Sequence, residues 1–150
     1  MEMKDLFNSL KDQHEFMQTF LDTIILQQKA IINNDIRGLE ETIKTEGALL
    51  INVDRYEKQM ADIIKQLSEK YAIETNSNKL MDFVDALRGK REFNPNNIVK
   101  LHSSLKKLVS QIKKINDQNR MLINQARNFV RETVSALVDS SNSPIFDRKA

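Results

Sequence analysis

Cysteine and tryptophan are both absent from the 150 residues of this chain. Without cysteine there is no disulfide framework and no thiolate metal site, and we expect a protein of the reducing cytosol. Only three glycines are present, and none belongs to a glycine-rich phosphate-binding loop. No window approaches the roughly 18 apolar residues that a membrane span requires, so we expect no stable membrane insertion.

The residues that remain are those of a helical protein. Hydrophobic residues make up 40% of the chain and charged residues 29%. A balance rich in Leu, Ile, Lys, Glu and Gln is typical of helical bundles and coiled coils. The length corresponds to one domain.

The longest regular pattern lies in the last third of the chain. From Ile98 to Ala136, seam positions recur by steps of three and four, and only Asn119 and Thr133 among them are polar. Such spacing predicts one long helix packed against other helices. The seam consists of Ile98, Leu101, Leu105, Leu108, Ile112, Ile115, Asn119, Leu122, Ala126, Phe129, Thr133 and Ala136.

Three further helices precede the long one. The same spacing predicts a first helix over residues 3–32 and a second from an N-cap at Asp35 to about Tyr71. A short amphipathic helix over residues 79–88 should end with Gly89 at the C′ position. On the second helix the spacing places an apolar row, repeated every seven residues, on the buried seam. This row contains Ile36, Ile43 and Leu50.

These elements predict an all-α fold, namely an elongated antiparallel three-helix bundle with one short additional helix. We expect residues 1–138 to form a single bundle domain and residues 139–150 to form a flexible tail. Packing as a homodimer is one arrangement that such helices allow.

Charge is divided unevenly along the chain. Residues 1–87 carry ten Lys or Arg and sixteen Asp or Glu, whereas residues 88–138 carry eleven and three. The basic side chains recur every seven residues opposite the seam, where solvated charge is expected in a coiled coil. No aromatic side chain interleaves with them to stack on bases, so we do not expect a nucleic-acid partner. The two rows contain Lys106, Lys113, Arg120 and Arg127, and Lys100, Lys107 and Lys114.

Nothing in the sequence indicates an enzyme or a metal site. His14 and His102 stand far apart with no carboxylate at a metal-ligand spacing, so we interpret each as a packing or partly exposed residue. Glu46 and Glu57 occupy seam positions on one helix, roughly 16 Å apart at 1.5 Å per residue, which is too far for paired acid–base work. We expect them to reach the surface or to meet basic residues of the long helix.

The end of the long helix carries the clearest functional signal. Asn119 interrupts the apolar seam, which fixes register or partner choice, and beyond it the apolar residues spread past the seam. Exposed apolar surface of this kind binds a partner, unless the turn between the first two helices or Ile145-Phe146 covers it. The candidate partner-binding residues are Asn119, Leu122, Ile123, Ala126, Phe129, Val130, Val134, Leu137 and Val138.

The sequence resembles the FlgN family of flagellar type III export chaperones over residues 5–138. The resemblance is carried by the apolar helix that ends in Asn33-Asn34-Asp35, and by Val53-Asp54-Arg55-Tyr56, where Asp54 replaces the more usual Glu. A third motif is Asn116-Asp117-Gln118-Asn119-Arg120-Met121-Leu122-Ile123, similar to the family's Asn-x-x-Asn-x-x-Leu-Ile pattern.

The resemblance implies a cytosolic chaperone without a cofactor or nucleotide. It implies binding of the hook–filament junction proteins, protection of their terminal helices from premature assembly, and delivery to the export gate. By position, the client-binding segment runs from Asn119 to Val138. The alternative that the residues leave open is a generic coiled-coil adaptor or signalling bundle with a basic outer face.

Overall fold

A computed structural model describes residues 1–75 and 77–141 of the chain. In these residues the chain forms four α-helices and no strand, which confirms the predicted all-α class. They are α1 (Met3–Ile32), α2 (Ile36–Lys70), α3 (Leu80–Arg88) and α4 (Asn96–Ser141). α4 thus continues past residue 138, where we had placed the end of the bundle, while residues 142–150 lie outside the described part.

Local chemistry explains where α2 begins and α3 ends. Asp35 is the N-cap of α2, and its Oδ1 accepts a hydrogen bond of 3.0 Å from the backbone N–H of Gly38. The preceding Asn34 has a φ of 55°, a left-handed conformation that Asn tolerates better than most residues. Gly89 does end α3 but keeps a helical φ of −73°, so it does not adopt the left-handed C′ conformation.

α1 is the central helix of the bundle. α2 runs antiparallel to it, because Gln27 of α1 donates to Glu46 while Phe16, nearer the start of α1, stacks on Tyr56 with ring centroids 5.0 Å apart. α2 and α4 each pack along α1, whereas their own backbones hardly approach one another.

α4 runs parallel to α1. His14 bonds to Ser104 at 2.9 Å, and Gln28 bonds to Gln118 at 3.1 Å, so both helices advance together. The direction of α4 is therefore opposite to that of α2, as expected for the three long helices.

The closest packing lies at the end of the bundle that contains α3. Phe83, Val84 and Leu87 of α3 are fully buried. They join one apolar cluster with residues from the first part of α1, the last part of α2 and the first part of α4. We call this end the base and the opposite end, at the α1–α2 turn, the distal end. The remaining cluster members are Leu6, Leu10, Met17, Leu21, Ile63, Ile64, Leu67, Ile73, Leu80, Ile98, Leu105 and Leu108.

The predicted buried row of α2 is wrong over its first half. Ile36, Ile43 and Leu50 are 72%, 50% and 53% exposed, and only Ile64, in the same row, is buried. Leu39 and Glu46 are half-buried in this part of α2, and Glu46 bonds to Gln27 of α1. The row at Ile36 stays uncovered because α4 does not pack on α2 there.

Candidate functional site

α4 extends well past the helix that it packs on. Asn119 contacts Ile24 and Gln27 of α1, and α1 ends at Ile32. Since α1 extends eight residues past Ile24 and five past Gln27, it ends level with about positions 124–127 of α4 in that register. Every side chain from Asn124 to Ser140 is exposed. We call residues 123–141 the distal segment, which spans roughly 28 Å at 1.5 Å per residue.

A buried polar layer lies just before the distal segment. Asn119 is 1% exposed, and its Nδ2 donates to the carbonyl oxygen of Ile24 at 3.1 Å and to Oε1 of Gln27 at 3.0 Å. Nε2 of Gln27 in turn donates to Oε2 of Glu46 at 2.9 Å. All three long helices are therefore joined by side-chain hydrogen bonds at one level. Glu46 is bonded to Gln27 here, whereas we had expected the surface or a basic residue of α4, and Glu57 is exposed.

The other candidate residues change from half-buried to exposed along the helix. Leu122 and Ile123 are half-buried, and Ala126 is exposed. Phe129 is 69% exposed, which decides that it is not a core residue of the bundle. The remaining large apolar side chains, between 50% and 65% exposed, are Val130, Val134, Leu137 and Val138.

The apolar residues of α4 from Leu122 onward lie on adjacent rows of the helix. Leu122, Ala126 and Phe129 continue the seam that α1 occupies farther back along α4. Ile123, Val130 and Leu137 repeat every seven residues on a neighbouring row, which begins beside the α1–α2 turn. A partner helix therefore meets a wide apolar surface instead of a single line of side chains.

A groove separates the α1–α2 turn from the start of the distal segment. The groove has a volume of about 500 Å³ and is open to solvent. One wall is formed by the end of α1, the turn and the first residues of α2, and the other by α4. We call it the distal groove. It is lined by Ala30, Ile31, Asn34, Asp35, Ile36, Leu39, Ile123, Ala126, Arg127, Val130 and Arg131.

The sequence suggested two segments that could cover the apolar surface, namely the α1–α2 turn and Ile145-Phe146. The α1–α2 turn lies beside α4 near Val130 but still leaves that side chain 59% exposed. The turn lines no part of α4 beyond Arg131 in this groove. Ile145-Phe146, the other suggested cover, lies outside the described residues. The turn therefore does not bury the distal segment.

Basic side chains border the apolar surface and continue along α4. Arg127 and Arg131 line the distal groove. Neither guanidinium has an ion-pair or hydrogen-bonding partner among the residues that the structure describes. Both predicted basic rows are confirmed as exposed surface, from Lys100 to Arg127.

The histidines occupy packing positions between helices. His14 bonds to the hydroxyl of Ser104, as described above. Burial lowers the pKa of His102, and the nearby charge of Lys106 lowers it further, so the neutral form is favoured. Within residues 1–75 and 77–141, no three His, Cys, Asp or Glu side chains are grouped to hold a metal ion.

The α1–α2 side of the groove was missed at the level of the sequence. Ile36 was assigned to the core, and Ala30, Ile31 and Leu39 were not considered as part of a site. One signal was present in the sequence. A second row of residues lies beside the row of Ile36 on α2, and either row could face α1. Spacing alone does not say which row is covered.

No helix in the described part of the chain is long and apolar enough to cross a membrane. The chain has no significant match among curated proteins or among solved structures. A family profile described as FlgN protein matches residues 1–146. Because the match spans nearly the whole chain, this protein belongs to the FlgN family, a family of flagellar export chaperones.

Proposed function

We propose that this chain is a cytosolic chaperone of flagellar type III export that binds the hook–filament junction proteins through the distal segment of α4. The client's terminal helix packs on the exposed apolar surface by helix-on-helix contact. While bound there, that helix is kept from assembling prematurely, and the complex is delivered to the export gate. The work done by the chain is binding, and no catalytic step is required.

The single observation that supports this proposal is the exposure of the distal segment. A helix that continues roughly 21 Å past the end of its supporting helix, with large apolar residues on adjacent rows, is unusual in a protein that acts alone. The surface continues the seam that α1 occupies, so a client helix extends an existing packing pattern. Membership of a chaperone family supports a client-binding role for such a surface.

The test is capture of purified junction proteins by the full chain and by Phe129→Ser/Val134→Ser. Burial of a Phe or Val side chain contributes about 1.5–3 kcal/mol each, so we expect binding to weaken at least 100-fold. Helicity and melting temperature should barely change, because both side chains are largely exposed in the isolated chain.

Ile51→Ser is the matched control, because Ile51 is 74% exposed on α2 and does not belong to the distal segment. It should bind clients like the parent chain. Unaltered capture by the double variant would reject the proposed site, and a large loss of helicity would show that Phe129 and Val134 support the fold.

A second candidate function is a coiled-coil adaptor that uses its basic outer face. The exposed rows from Lys100 to Arg127 favour it. Salt separates the two functions, since contacts through surface lysines weaken steeply between low and high ionic strength, whereas apolar docking does not. Salt-sensitive capture that survives Phe129→Ser/Val134→Ser would support the adaptor.

A further inference from the structure

Resting on the proposed function, we infer that the client site is composite. The distal groove takes an acidic-flanked amphipathic helix of the client, so that the α1–α2 turn forms its second wall. The apolar face of that helix enters the groove between Ile36 and Val130, and its carboxylates lie beside Arg127 and Arg131. The distal segment alone is therefore only half of the site.

The shape of the groove supports a helical occupant. Its walls are apolar on both sides, with Ala30, Ile31, Ile36 and Leu39 facing Ile123, Ala126 and Val130. It lies between two helices that both pack on α1 and whose own backbones hardly approach one another. In a helical bundle, that position is occupied by a further helix whose side chains at i, i+3 or i+4, and i+7 fill the space.

The other end of the molecule shows such a helix in place. α3 packs on α2, and its Leu80 and Met81 line a pocket together with residues of α1, α2 and α4. Its apolar face is buried, and its exposed side carries Asp82, Asp85 and Arg88, with Arg88 3.6 Å from Asp85. The bundle therefore already binds one short amphipathic helix at its base, and the distal groove offers a comparable place.

Charge determines which amphipathic helix fits the distal groove best. Arg127 and Arg131 stand on the α4 wall without a carboxylate partner among the described residues. On the opposite wall Asp35 directs its carboxylate to the N–H of Gly38 as a helix cap. The groove lining thus carries two Arg against one Asp, and its α4 wall is positive, which favours a helix with Asp or Glu on the side that faces α4.

The test measures binding of the full chain to a purified hook–filament junction protein by calorimetry, at low and high salt. We expect Arg127→Glu/Arg131→Glu to weaken binding about tenfold at low salt, since each exposed pair contributes little and reversal adds repulsion. Ala126→Trp should weaken binding by filling the groove. Lys106→Glu/Lys113→Glu is the matched control, because it changes net charge equally on exposed positions of the same helix that do not line the groove.

Hydrogen exchange then locates both surfaces in the complex. We expect slowed exchange at residues 30–39 and 123–131 of the chain, and in one client helix that carries Asp or Glu beside its apolar face. Replacing those client carboxylates by Lys should weaken binding to the parent chain. The same client variant should bind well to Arg127→Glu/Arg131→Glu, whose reversed charges match it.

Three outcomes would overturn the composite site. They are full binding by both groove variants, protection confined to α4 beyond residue 131, and concentration-dependent protection of residues 30–39 without client. The third assigns the groove to a second copy of the chain. Loss of binding by Phe129→Ser/Val134→Ser in the same assay keeps the proposed function intact in all three cases.

Discussion

Replacement of Asn119 by Leu should leave the free energy of unfolding almost unchanged, although it removes two buried hydrogen bonds. The amide of Asn119 donates to Ile24 and Gln27. Its Oδ1 is buried without a partner among the described residues. The substitution therefore removes one unpaired acceptor, and at the same time leaves Oε1 of Gln27, a residue only 4% exposed, without its donor.

The expected size follows from these contacts. The two unpaired acceptors, one lost and one created, are similar in cost at about 1–3 kcal/mol and nearly cancel. The lost hydrogen bonds contribute about 1 kcal/mol each, while burying a Leu side chain gains about 1.5–3 kcal/mol. Asn119→Leu should thus lie within about 1 kcal/mol of the parent chain.

The double variant Gln27→Leu/Asn119→Leu removes both unpaired acceptors. Glu46 loses its donor from Gln27 but is only half-buried, so water can replace that bond. We expect an increase of about 2–4 kcal/mol in the free energy of unfolding. Asn119→Ala is the contrasting control and should lose about 2–4 kcal/mol, because it breaks the same bonds and leaves a cavity.

Urea denaturation followed by circular dichroism provides the measurement, with the slope against urea as a check that the unfolded state is unaltered. Light scattering should accompany it, since a polar residue in an apolar seam also fixes register and oligomeric state. A loss of more than about 2 kcal/mol for Asn119→Leu would refute the reasoning. It would show that Oδ1 is satisfied in solution and that the polar layer stabilises the fold outright.

Two further changes probe the base and the first half of α2. Phe83→Ala should lower the free energy of unfolding by about 3–5 kcal/mol, because Phe83 is fully buried. Phe129→Ala should change it by less than about 0.5 kcal/mol. Equal losses in urea denaturation would contradict the tighter packing of the base relative to the distal segment. Gly47→Ala should raise the free energy of unfolding by about 0.5–1 kcal/mol and the melting temperature by a few degrees, because Ala is favoured over Gly inside a helix. The new Cβ causes no clash, since it meets no atom within 4 Å. Gly38→Ala, its control, should give no gain because the new Cβ collides with the Asp35 carboxylate that caps α2.

The helices could be predicted closely because their signals are local. The first helix runs from Met3 to Ile32 as expected, and α2 begins after the predicted cap at Asp35. Spacing by threes and fours, together with a capping side chain, specifies where a helix begins and which side is apolar. The exposed basic rows of α4 were predictable for the same reason.

The distal groove could not be predicted, because it depends on how far apart two helices lie. Ile36 and Leu39 are both apolar and stand three residues apart, yet Ile36 is exposed while Leu39 is half-buried. The difference arises from the place of α4, which packs on α1 and leaves the outer row of α2 uncovered. The sequence pattern of α2 carries no information about its separation from α4.

The polar layer fixes the register of α4 on α1, and that register sets the size of the proposed client surface. Asn119 lies close to the level where α1 ends, and a slip of one heptad along α1 would lengthen or shorten the distal segment by about 10 Å. An all-apolar seam would tolerate such a slip, because each heptad resembles the next. The bonds from Asn119 to Ile24 and Gln27 exist in only one register. A residue that adds little to stability therefore determines how much of α4 is offered to a client.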